Sequence, residues 1–227
     1  MYKHIEIVVA RYNEDLSWTK EYPFNQFKYT IYNKGTNDTF TKPSIYRVFQ
    51  LPNVGRCDHT YLYHIVNNYY NLADVTIFLP GSTDSPNKYD RSVSMVNKIE
   101  ETNETVLSCN IDKNIHNSQY NFELESYSCT NSDNLSINLN SDSVISSDIR
   151  PFGKWFETVF TNNEENNCIA WNSIIGISKQ NIIQKPISFY EKLLKQVDSQ
   201  DHLETVHFME RSWYAVFYPY NNNASFI

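Results

Sequence analysis

The chain has 227 residues, a formal net charge of −7 and 41% hydrophobic residues, of which aromatics supply a large share at 15% of the total. That length suits one domain with a full core of its own. The acidic balance, with no clustered basic face, excludes nonspecific binding of DNA or RNA. It does not exclude a nucleotide, because a few Arg or Lys residues suffice for one diphosphate.

Residues 5–10 (IEIVVA) form a short apolar, β-branched run and predict a buried strand that ends in a polar loop. Residues 27–32 (FKYTIY) predict a second strand, closed by the turn Asn33-Lys34-Gly35. Residues 46–51 (YRVFQL) predict a third, stopped by Pro52. Asn53-Val54-Gly55-Arg56-Cys57-Asp58 follows, with Asp58 as the expected cap of a helix whose apolar face is Tyr61, Leu62, Ile65, Val66 and Tyr69. Residues 74–79 (DVTIFL) predict a fourth strand, broken by Pro80-Gly81.

Further on, residues 89–101 suggest a helix. Residues 110–148 are rich in Asn, Ser and Asp and poor in apolar residues, which predicts an inserted or flexible excursion. Residues 169–177 (IAWNSIIGI) read as a strand, residues 186–197 as an amphipathic helix with Pro near its first turn, and residues 203–217 as a last helix. The whole predicts a single α/β domain over residues 1–227. Its central sheet is mostly parallel and Rossmann-like, with flanking helices and ligand loops at the strands' carboxyl ends.

Four groups of residues are candidates for chemistry. Arg11-Tyr12-Asn13-Glu14-Asp15 follows the first strand and offers amide and carboxylate partners for a base or ribose, with Trp18 nearby as a stacking ring. Asn53-Val54-Gly55-Arg56 combines a permissive glycine with a planar donor fork suited to phosphate. Gly81-Ser82-Thr83-Asp84 stands where a metal carboxylate is expected, but Asp84 has no close carboxylate partner in sequence, and Asp133 and Asp142 each stand alone. In the last helix His207, Glu210 and Arg211 share a face, and Glu210 is a candidate general base. For each group the plain alternative is a solvated turn or a structural pair. Trp155, Trp171 and Trp213 read as core residues rather than sugar platforms. The cysteines, Cys57, Cys109, Cys129 and Cys168, are widely spaced and read as free thiols of a reducing, cytoplasmic compartment. No run of about 20 apolar residues predicts a membrane span.

Taken together, VVARYNEDLSW, IYNKG, LPNVGR with HTYLYHIVNNY, DVTIFLPG, RPFGKWF, GIS with KPISFYEKLL, and HFMERSW resemble a family catalogued as domain of unknown function 3431. The resemblance spans most of the chain outside residues 85–148. That family is in turn distantly similar to glycosyltransferases of the A-type fold. The resemblance implies a nucleotide-sugar donor and a glycan or other hydroxyl acceptor. It would place Arg11, Asn13, Glu14 and Asp15 in the nucleotide pocket and Asn53, Gly55 and Arg56 by the phosphates. Glu210 would be the base, with Arg211 beside it. It also implies a divalent Mn or Mg ion, for which Asp84 is the one candidate ligand, since Gly81-Ser82-Thr83-Asp84 replaces an Asp-x-Asp and Cys57 stands where an acidic residue is expected. A catalytically inactive nucleotide- or carbohydrate-binding module and an interaction protein are the alternatives.

Overall fold

A computed structural model describes residues 4–109, 111–124, 144–160, 167–199, 203–220 and 222–227. About half of the predicted excursion, with Asp133, Asp142 and Cys129, whose thiol was expected to be free, lies outside the described residues. A seven-stranded mixed sheet has the order β3-β2-β1-β4-β6-β5-β7. Its strands are β1 (Ile5–Arg11), β2 (Lys28–Asn33), β3 (Tyr46–Gln50), β4 (Val75–Pro80), β5 (Val106–Leu107), β6 (Ile175–Ser178) and β7 (Ser225–Phe226). The helices are α1 (Arg56–Asn68), α2 (Pro86–Thr102), α3 (Ile115–Gln119), α4 (Phe152–Val159), α5 (Lys179–Ile183), α6 (Ile187–Leu194) and α7 (Glu204–Phe217).

The first four strands are mutually parallel, as expected. The expectation of a mostly parallel sheet needs one correction. β6 runs against both β4 and β5, so the sheet is mixed. Antiparallel entry next to β4 requires no helical crossover in the same sense, so a short strand can join there.

At β1 both faces of the sheet are covered, which explains why that strand reads as a continuous apolar run, whereas β3 at the sheet's edge is exposed along its length. Ile7 and Val9 face one core with Ile31, Ile77, Leu79, Met95, Val96 and Ile99. Val8 and Ala10 face the other with Tyr61, Leu62, Ile65, Phe78, Phe208 and Trp213. In α1 the predicted face is right: Tyr61, Leu62 and Ile65 are fully buried, and Val66 and Tyr69 pack at its margin.

Three local expectations fail. Residues 169–177 are not one strand: a 3-10 turn, Trp171–Ser173, precedes β6, and Asn172 and Ser173 hold φ of 67° and 58°. Asp58 does not cap α1. The helix starts at Arg56, two residues earlier, and the Asp58 carboxylate accepts from the Trp213 indole at 2.6 Å instead. Cys109 and Cys168 are not free thiols but form a disulfide, while Cys57 is free. β5 and β6 are antiparallel neighbours, so the segments leaving β5 and approaching β6 lie together, and the bridge closes a loop that holds both the excursion and α4. The reading of a reducing compartment rested on free thiols, and this pair removes that basis. Among the described residues, no helix is long and apolar enough to cross a membrane.

Candidate functional site

Where β1 lies between β2 and β4, the chain reverses the direction in which it adds strands. In open α/β sheets the crevice at the carboxyl ends beside such a switch point is the usual ligand site. Four loops meet on this rim, and their links are specific.

The loop after β1 is anchored by Arg11. Its Nε donates to the Glu14 carbonyl at 2.7 Å, and its Nη1 donates to Asn33 Oδ1 at 2.6 Å and to the Asn37 carbonyl at 2.7 Å. The guanidinium also lies 3.8 Å over the Phe40 ring, and the residue is buried. Most of the Arg11 fork is thus engaged in holding loops, and burial lowers its pKa. The Glu14 carboxylate accepts from the Tyr12 N–H at 2.7 Å and rests against Gly81, where an added Cβ would meet Glu14 Oε2 at 2.7 Å. Asp15 accepts from the Thr41 N–H at 2.7 Å, a bond that holds its carboxyl below the usual range. Asn13 is exposed. Trp18 is no stacking platform: it is 1% exposed and donates to the Gly81 carbonyl at 2.9 Å.

The second predicted loop stands on the far side of β2 from the first. Lys34, leaving β2, bridges the gap by donating to the Val54 and Arg56 carbonyls. Gly55 has φ +55°, and a Cβ there would sit 1.9 Å from the Val197 carbonyl oxygen, so this turn needs glycine. Asn53 is exposed and Arg56 half-buried.

The third wall comes from α7. Because β6 is antiparallel, the turn that enters it lies at the same rim as the carboxyl end of β4, with Phe78 opposite Ile175. The Asn172 N–H in that turn donates to Glu210 Oε1 at 3.3 Å. Tyr61 holds the turn from α1, donating to the Ser173 carbonyl at 2.9 Å. Burial raises the Glu210 pKa, against the pull of Arg211, the Asn172 N–H, Arg56 and Lys88. Cys57 lies within the fields of Asp58, Lys88, Lys34 and Glu14, which come from four different elements or loops.

The chain belongs to the family described as protein of unknown function, DUF3431. The family model matches residues 7–225, from within β1 to the start of β7, and so takes in the entire rim. No curated protein matches the chain.

The structure thus brings Arg11, Glu14, Gly55, Arg56 and Glu210 onto one rim, with different tasks. Arg211, by contrast, turns to structural partners. Its Nε donates to Gln119 Oε1 at 3.1 Å, its Nη1 to the His207 carbonyl at 3.0 Å, and its guanidinium lies 3.5 Å over Phe122. Asp84 is exposed. Among the described residues, no group of three or more His, Cys, Asp or Glu side chains is arranged to hold a metal ion.

Two site residues were missed in sequence. Lys88 donates to Ser82 Oγ at 2.7 Å and acts on both Cys57 and Glu210. Its signal was available: a cation in the first turn of a helix opposes the macrodipole, and α2 has no acidic residue there to offset it. α1 likewise opens on Arg56. Two helix amino ends that each carry a cation suit an anionic ligand. Asp58 is the other, expected only as the cap of α1: it is buried beside α7, and burial, then Glu210, pushes its carboxyl up to about 7.

Proposed function

We propose that this protein transfers a sugar from a nucleoside-diphosphate sugar to a hydroxyl acceptor. The observation that carries the reading is the position of Glu210. A largely desolvated carboxylate, steadied by a backbone N–H, stands at the switch-point rim within the field of Arg56 and Lys88. The resemblance to A-type-fold glycosyltransferases supports the same reading, and the parallel β3-β2-β1-β4 half of the sheet is consistent with it.

In this mechanism the acceptor oxygen attacks the anomeric carbon. The bond from that carbon to the diphosphate oxygen breaks, and its electron pair leaves with the nucleoside diphosphate. Glu210 accepts the acceptor's hydroxyl proton, and a carboxylate whose pKa is raised by burial is a stronger base for that step. Arg56 and Lys88 stabilise the charge that develops on the leaving diphosphate. Asn13, Glu14 and Asp15 border the nucleotide side, where Arg11 organises the loop from beneath. The exposed Asp84, without a second carboxylate beside it in sequence and in no cluster of potential ligands among the described residues, does not by itself fit a divalent Mn or Mg ion.

The test is a thermal-shift screen of UDP- and GDP-sugars, with and without Mn²⁺, followed by turnover assays on any binder. Glu210→Gln should keep donor binding and lower kcat by about 100-fold or more, the usual contribution of a general base. No shift with any common sugar nucleotide refutes the reading. Binding without turnover, unchanged in Glu210→Gln, identifies a catalytically inactive binding module instead.

A further inference from the structure

Of the four tryptophans, Trp18, Trp155 and Trp213 are 1%, 2% and 0% exposed, whereas Trp171 is 39% exposed. The expectation that Trp171 is a core residue is therefore wrong. It lines an open groove of about 660 Å³ together with Pro86, Asn87, Asp90, Arg91 and Asn172. That volume lies within the ~300–1,000 Å³ of small-molecule sites.

The tryptophan is held in place. The buried guanidinium of Arg211, 3.5 Å over the Phe122 ring, lies 5.1 Å from the Trp171 ring centre. The next two residues occupy the left-handed region without being glycine and are fixed by the Glu210 carboxylate and the Tyr61 hydroxyl. A non-glycine pair in that conformation persists only when its surroundings over-determine it, a pattern that clusters at ligand sites. Here it directs one backbone N–H to Glu210 and sets the adjoining indole on the groove wall.

We propose that this groove is the acceptor subsite and that it takes a carbohydrate chain, one ring of which lies on Trp171. The proposal rests on the transferase reading for the word acceptor, though the chemistry of the groove argues for a carbohydrate in its own right. A flat indole offers an apolar plane to the C–H face of a pyranose. Asn87, Asp90 and Arg91 supply an amide, a carboxylate and a guanidinium, the mixed donors and acceptors that vicinal hydroxyls need. Asp90 and Arg91 offset one another in charge, so the lining favours a neutral ligand over a nucleotide. The groove is open to solvent rather than enclosed, which suits an oligomer with one end at Glu210.

Exposure also supplies the assay. Because three tryptophans are buried, quenching of emission by acrylamide reports mainly on Trp171. The full chain is titrated at millimolar concentrations with cellopentaose, maltopentaose, mannopentaose and chitopentaose, and read by quenching and by calorimetry. At least one should protect Trp171 and release heat. Trp171→Ala should weaken that binding at least about tenfold (~1.4 kcal/mol), and Trp171→Phe should recover most of it. Asp90→Ala, on the exposed rim, should weaken binding several-fold and serves if Trp171→Ala does not fold. Absence of protection and heat with all four sugars overturns the inference, as does binding that neither Trp171→Ala nor Asp90→Ala changes. Sugar-nucleotide binding without oligosaccharide binding removes this inference and leaves the transferase reading. The converse keeps the carbohydrate site and removes its role as acceptor subsite.

Discussion

Replacing Asp58 by Asn removes a buried charge while keeping an oxygen that accepts from the Trp213 indole. In the folded chain burial and then Glu210 raise the Asp58 carboxyl from an ordinary 3.8 to about 7. Between those values the unfolded chain has released the proton and the folded chain has kept it. The unfolded state binds fewer protons, so this group makes the protein less stable as pH rises through the window. The gap of roughly three pH units corresponds to at most about 4 kcal/mol. Asp58→Asn should therefore match the parent below about pH 4 and gain progressively until above pH 7. His59, His64 and His207 act in the opposite sense. Burial lowers each to about 4, so the stability they contribute is present above 6.5 and is lost as pH falls towards 4. They titrate in both proteins, so the difference between the two curves isolates Asp58. Urea unfolding of parent and variant at half-unit intervals from acid to neutral pH measures it. A stability difference that is constant across that range refutes the reasoning.

Two further outcomes test the fold beneath the site. Gly55→Ala should cost at least about 2 kcal/mol, since φ is +55° and the added Cβ would meet the Val197 carbonyl oxygen at 1.9 Å; urea unfolding that shows no loss would contradict the turn. Reducing Cys109–Cys168, separated by 59 residues, should cost about 4 kcal/mol on the chain-entropy account. That corresponds to a Tm lower by roughly 10 °C, and melting with and without dithiothreitol measures it.

The sequence by itself determined the first four strands, the helix α1 with its buried face, and the two strand-end loops. These features are local. β-branched runs bounded by Pro and Gly specify short buried strands, and helical spacing specifies which face of α1 turns inward. Gly55 was visible as a permissive residue in a strand-to-helix turn, whereas its positive φ and the Val197 carbonyl against it came from the tertiary structure. The α7 helix was legible, and so was the chemical aptitude of Glu210, but not its place. Glu210 reaches the rim because β6 enters antiparallel beside β4 and carries Asn172 to it. Strand direction depends on which edges are open when the chain returns, and no local pattern encodes that. The same long-range pairing decided that Cys109 meets Cys168, that Asp58 serves Trp213 rather than its own helix, and that Arg211 backs Trp171. Trp171 illustrates the limit most directly. Its chemistry is the same as that of three buried tryptophans, and only the packing of α7 against the turn before β6 leaves its face open to solvent. Residue type determines what a side chain can do, while burial and neighbours, set by contacts across the whole chain, decide which residues remain available to act.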